Sequence, residues 1–111
     1  MLIEVRTDGK VKDSEQVFDH VKTLVQTALG RFYDRIRRVD VHLSDTIGDK
    51  TGHGDKCCLI EAHRDGREPI VVTHQESTID QAIQGAVHNL KKSIDSAFGK
   101  ESIQDNLRDH H

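Results

Sequence analysis

The chain has 111 residues, 34% of them hydrophobic, with 16 Lys and Arg against 19 Asp and Glu and a formal net charge of -3. That length fits one domain around one core and leaves no room for a second, while the acidic balance argues against a protein that coats nucleic acid over its whole surface. No run approaches the roughly 18 to 20 apolar residues of a membrane span, and no basic region precedes an apolar one at the N-terminus, so a cytoplasmic chain is expected.

Leu2 to Thr7 alternates, with Ile3 and Val5 on one face and Glu4 and Arg6 on the other, as a half-buried strand does. Asp8-Gly9-Lys10 breaks it. Val17, Phe18, Val21, Leu24, Val25, Ala28, Leu29 and Phe32 then recur at steps of three and four, one apolar stripe of a helix starting near Asp13 or Ser14, with Asp13 and Gln16 spaced as a capping pair. Gly30 costs about 1 kcal/mol in a helix relative to Ala. The helix either ends there or continues for another turn on the packing of Phe32 and Ile36, and continuation is expected.

Val39, Val41 and Leu43 alternate with Asp40, His42 and Ser44, a second strand with one wet face. Ile47 to Asp55 holds three glycines and reads as a loop. Cys58, Ile60 and Ala62 alternate with Leu59, Glu61 and His63, and Asp65-Gly66 turns the chain into Ile70 to Thr73, which makes a hairpin. Pro69 lacks an amide proton, which puts it at a strand start or a sheet edge and makes this last strand peripheral.

Ile79, Ala82, Ile83, Ala86, Val87, Leu90, Ile94 and Phe98 form a second helical stripe, opened by a Thr78/Gln81 capping box and stopped by Gly99. Residues 101–111 are polar, lack a stripe, and are expected to form a mobile tail behind a single domain of residues 1–100. The class is therefore α+β in the order β-α-β-β-β-α. A right-handed crossover makes strands one and two parallel, the meander adds two antiparallel strands, and both helices cover one face of the mixed four-stranded sheet.

Arg31, Arg35, Arg37 and Arg38 concentrate positive charge where the first helix meets the second strand, with Asp34 the one acid among them. Clustering of this kind in a net acidic chain points to a local anionic partner. The plainer reading is a solvated helix end whose cations offset the helix dipole by about 0.3 to 1 kcal/mol.

The order of elements, together with Arg31-Phe32, Arg35-Ile36-Arg37-Arg38-Val39-Asp40-Val41, Asp55-Lys56 with Cys58, Ile60-Glu61-Ala62, Pro69-Ile70-Val71-Val72, Ala82-Ile83 and Lys91-Lys92, resembles the ribosome hibernation-promoting factor and ribosome-associated inhibitor family over about positions 2 to 100. The resemblance implies a non-catalytic domain that binds the small ribosomal subunit and its rRNA and blocks the path of messenger and transfer RNA under stress. It implies RNA contacts at Lys22, Arg31, Arg35, Lys91 and Lys92, with Arg37, Arg38 and Lys56 as neighbours. The second helix departs from the pattern, carrying Gln81, Gln84, His88, Asn89 and Asp95 where the family resembles a Lys/Arg-dense face. The further domain of long members is absent from this sequence, so the resemblance implies a short form, with a monomer favoured.

Other chemistry has less support. His53, Cys57 and Cys58 include good zinc ligands but lack a fourth. Alternation sends the adjacent cysteines to opposite faces, Cys58 to the core and Cys57 to the surface, and strains any disulfide between them, which fits a reducing compartment. His42 and His63 meet only if strands two and three align suitably, and two exposed strand histidines are the simpler reading. Glu61, His63, Asp65 and Ser44 show no catalytic spacing, and the glycines at 48, 52 and 54 lack the Lys-Ser/Thr of a phosphate loop. Neither an enzyme nor a cofactor or metal is expected. Two functions remain: steric ribosome inhibition, or the same fold turned to a protein or small-anion partner.

Overall fold

Four strands form one sheet in the order β1-β2-β3-β4, with β1 Leu2–Thr7, β2 Arg38–Asp45, β3 Lys56–His63 and β4 Ile70–Glu76. The computed structural model describes residues 2–8, 15–45 and 56–108, with backbone alone from residue 100 onward. β1 runs parallel to β2, as the crossover requires, and β2-β3-β4 is an antiparallel meander. The expected α+β order and helix placement are borne out, and β4 lies at a sheet edge.

The helices α1 Glu15–Leu29 and α2 Ile79–Arg108 sit on the same face, α1 over β1, α2 over β3 and β4, and each against the other. Alternation in the strands and four-residue steps in the helices deliver Ile3, Val39, Val41, Leu43, Cys58, Ile60, Ala62 and Val72 against Val21, Val25, Leu29, Ile83, Leu90, Ile94 and Phe98. Each large side chain so buried contributes roughly 1.5 to 3 kcal/mol. At the start of α2 the Thr78 hydroxyl accepts the Gln81 amide proton at 3.2 Å, as the capping pair foretells. The Asp13/Gln16 cap and the glycine loop with His53 lie outside the described residues.

Two helix ends differ from expectation. The α-helix does not run on through Gly30: that residue has φ +51°, which stops α1 at Leu29, and Gly30–Arg35 winds as a 3-10 segment. Phe32 and Tyr33 still pack on the core and Ile36 is buried, so the apolar spacing reflects burial without an α-helix. Conversely, α2 does not stop at Gly99. It continues to Arg108, because an isolated glycine costs only about 1 kcal/mol and the described residues show positive φ at Gly30 and Gly66 alone. Residues 101–108 of the expected tail are therefore helical.

Candidate nucleic-acid interface

The 3-10 segment carries Arg31 and Arg35, two of the four clustered arginines, onto the flank of α2. Phe32 stacks on Phe98 of α2, ring centroids 4.6 Å apart and planes within 11°. The Arg31 guanidinium lies 4.8 Å over the Phe32 ring and that of Arg35 5.5 Å from the Phe98 centroid, distances at which the π face attracts a cation. Arg31, Phe32, Arg35, Asp95, Phe98 and Gly99 line an open groove of about 410 Å³. Two guanidiniums are thus set against an aromatic stack, and one carboxylate, Asp95, lines the same groove.

The remaining predicted residues do not all join them. Lys91 is exposed and lies one turn before Asp95 on the same side of α2, whereas Lys92 points about 100° further round the helix. Lys22 is exposed but belongs to the far side of α1, lining a groove with Phe18 and residues 2–6 of β1. The side of α1 that meets α2 carries His20, whose Nε2 lies 3.4 Å from the Asp80 carboxylate. Arg37 donates its amide to the His63 carbonyl at 2.8 Å and reaches Asp65 at 3.4 Å, an exposed ion pair of little energetic weight. The cations do not form one continuous strip across both helices.

Arg38 and Lys56 are paired with carboxylates of the fold. On the open face of the sheet, Glu4, Asp40 and Glu61 are direct cross-strand partners and form a row of three carboxylates. Arg38 bridges that row, Nε to Asp40 Oδ1 at 2.8 Å and Nη2 to Glu4 Oε2 at 2.9 Å. The hydrogen bond to Asp40, the charge of Asp40 and that of Glu4 all push its pKa up. Arg6 adds a contact to Glu4 at 3.2 Å, and His63 Nε2 lies 3.4 Å from both Asp40 and Glu61. Lys56 pairs with the carboxylate of Asp45, which is only 4% exposed. A buried carboxylate left without its cation is strongly destabilising, so Lys56 is held by that need.

The metal chemistry weighed from the sequence is rearranged. Cys58 is fully buried and Cys57 half-buried on the opposite face. Burial, and then the neighbouring Cys57, pushes the Cys58 thiol up to about 12. It is therefore a protonated core group, unsuited to ligation as a thiolate. Register pairs His42 with Leu59 and His63 with Arg38, which separates the two histidines. The ligand atoms of Asp40, Glu61 and His63 do lie within 4.8 Å of one another, but Arg38 already occupies Asp40 Oδ1 and supplies neutralising charge there.

One residue near the groove was not singled out by sequence. Arg64, the residue after β3, places its guanidinium 5.4 Å from the Phe98 centroid and donates from Nη2 to the Glu68 carbonyl at 3.1 Å. Among Asp65, Arg67 and Glu68 it reads as ordinary turn polarity, and only the tertiary approach of α2 reveals it.

A family model described as sigma 54 modulation protein / S30EA ribosomal protein matches residues 8–101. No curated protein matches the chain. Among solved structures, a ribosomal subunit interface protein from Coxiella burnetii aligns with a TM-score of 0.74 at 13% identity, over 89% of this chain and 99% of that one. The N-terminal domain of Thermus thermophilus Protein Y aligns with a TM-score of 0.68 at 19% identity, over 85% and 96%. At these identities the structural likeness bears on fold.

Proposed function

The chain belongs to the sigma 54 modulation protein / S30EA ribosomal protein family, as its resemblance to ribosome hibernation factors implied, and from that premise we propose that it binds the small ribosomal subunit and inhibits translation sterically. Its place of action is the cytoplasm, in stress or stationary phase, and its contacts are to rRNA. No bond is made or broken; a folded domain seated in the path of messenger and transfer RNA excludes them by volume.

The observation that carries this reading is the groove beside the Phe32–Phe98 stack, where Arg31 and Arg35 hold planar forks suited to phosphate. Lys91 extends the positive side along α2, Lys92 and Arg37 are exposed cations on α2 and beyond the 3-10 segment's end, and Lys22 is an exposed cation apart from the groove, on the far side of α1. Arg38 and Lys56, engaged with carboxylates, are assigned to stability.

Cosedimentation of the full chain with purified small subunits tests the proposal. Association at low salt that is lost in both Arg35→Glu and Lys91→Glu supports it. Association indifferent to both reversals, or none at all, overturns it in favour of a protein or small-anion partner.

A further inference from the structure

β1 stands at one end of the sheet, and a groove of about 470 Å³ runs along it, lined by the consecutive residues Leu2 to Arg6 and by Phe18 and Lys22 of α1. Phe18 follows the apolar spacing of α1 yet stays half-buried outside the core cluster, and Leu2 is 51% exposed. Leu2 donates its amide to the Arg37 carbonyl at 3.4 Å, and Asp8 donates to the Leu43 carbonyl at 3.2 Å. Alternation therefore turns the backbone groups of Glu4 and Arg6 toward β2 as well, and those of Ile3 and Val5 away from it, toward the groove. Outward N–H and C=O groups on an edge strand are a template for a further strand.

We propose that this edge pairs with β1 of a second copy of the chain, antiparallel, about a two-fold axis through Val5. The partner follows from the strand's own sequence. Antiparallel strands exchange hydrogen bonds between outward-facing residues, so Val5 donates to and accepts from Val5 of the second copy. The charged residues on either side then meet crosswise, Glu4 opposite Arg6 of the second copy and Arg6 opposite its Glu4. Moving the axis to Glu4 or to Arg6 sets like charges face to face, so the charges select one register. Within one copy Arg6 meets Glu4 at 3.2 Å with its own side chain 70% exposed, a pair of little weight that exchanges for the one across the axis. The second strand also covers half-buried Val5 and Phe18 and exposed Leu2. An edge of six residues places this interface at the small end of specific ones, so the dimer is concentration-dependent.

Sedimentation equilibrium of the full chain from low micromolar to near millimolar, with hydrogen exchange followed by NMR, is the test. A monomer–dimer equilibrium is expected, with the Val5 amide exchanging rapidly in dilute protein and protected once the dimer forms. Arg6→Glu sets carboxylate against carboxylate twice and weakens the dimer about tenfold or more, as Glu4→Arg does with two guanidiniums. An equimolar mixture of these two variants, each folded by circular dichroism, recovers the affinity as a heterodimer. Val71→Glu, on the opposite edge strand β4, leaves the dimer intact. A chain monomeric throughout the range, a Val5 amide indifferent to concentration, or a dimer broken by Val71→Glu and untouched by Arg6→Glu overturns the proposal. The arginine groove lies across α1 from this edge, and small-subunit cosedimentation tests it separately.

Discussion

Salt dependence is where the geometry makes its sharpest demand. Of the eight cations read from the sequence, Arg38 and Lys56 are engaged with Glu4, Asp40 and Asp45, and Arg37 lies against Asp65. Lys22, Arg31, Arg35, Lys91 and Lys92 have no carboxylate at ion-pair distance among the described residues. Five cations that each neutralise one phosphate give a slope of about -3.5 to -4.5 in log K against log salt, a roughly 10²- to 10³-fold loss between about 50 and 200 mM. Arg35→Gln removes one such contact and makes the slope shallower by about 0.7 to 0.9. Arg38→Gln leaves it unchanged, because that guanidinium faces the other way and is already committed. Fluorescence anisotropy of the labelled chain against small subunits, over a KCl series at fixed magnesium, reads both slopes. A slope shallower than about -2, or an Arg38 variant as costly as the Arg35 one, refutes the division of charges argued above.

Two further predictions concern the fold. The Cys58 thiol, pushed up to about 12 from 9.0 by burial and then by Cys57, keeps its proton in the folded chain after the unfolded chain has lost it. Its contribution is intact below pH 9 and falls toward pH 12 by at most about 1.4 kcal/mol per pH unit, so urea unfolding between pH 8.5 and 11 should be steeper with pH in wild type than in Cys58→Ala, and parallel curves refute it. At Gly85 an added methyl falls inside the imidazole of His74, which is hydrogen-bonded to Glu76 at 2.8 Å. The overpacking cost of about 1 to 3 kcal/mol offsets or exceeds the helix-propensity gain of about 1 kcal/mol, so Gly85→Ala is neutral to destabilising alone and stabilising in a His74→Ala background; a lower urea midpoint in the double variant than in His74→Ala refutes the contact.

What the sequence disclosed follows from which signals are local. Period-two and period-3.6 patterns report burial directly, and so the order of elements, the parallel crossover and nearly all of the core were legible. Gly30 and Gly99 were not: the same residue type stops one helix with φ +51° and passes unremarked inside the other. The choice between them depends on what the following residues pack against. The separation of Arg37 from Arg38 was legible in principle, since alternation puts Arg38 on the wet face with Asp40 and His42. The four arginines are close in sequence but divided by that pleat. Arg64 lay beyond local reasoning altogether, because its partner Phe98 is thirty-four positions away in a helix that arrives only on folding.

The carboxylate row Glu4–Asp40–Glu61 gives the molecule a front and a back. A net charge of -3 suggests a chain repelled by polyanions, yet helix and sheet layers are separated by roughly 10 Å, about one Debye length at physiological ionic strength. Counterions, together with Arg6 and Arg38 on the same face, therefore hide those acids from a phosphate surface that the arginine groove has reached. Three carboxylates against two guanidiniums leave that face one net negative charge among these side chains, enough to turn it weakly away from a polyanion before contact, and dilution of salt, which lengthens the reach of both signs, strengthens that turning along with the attraction.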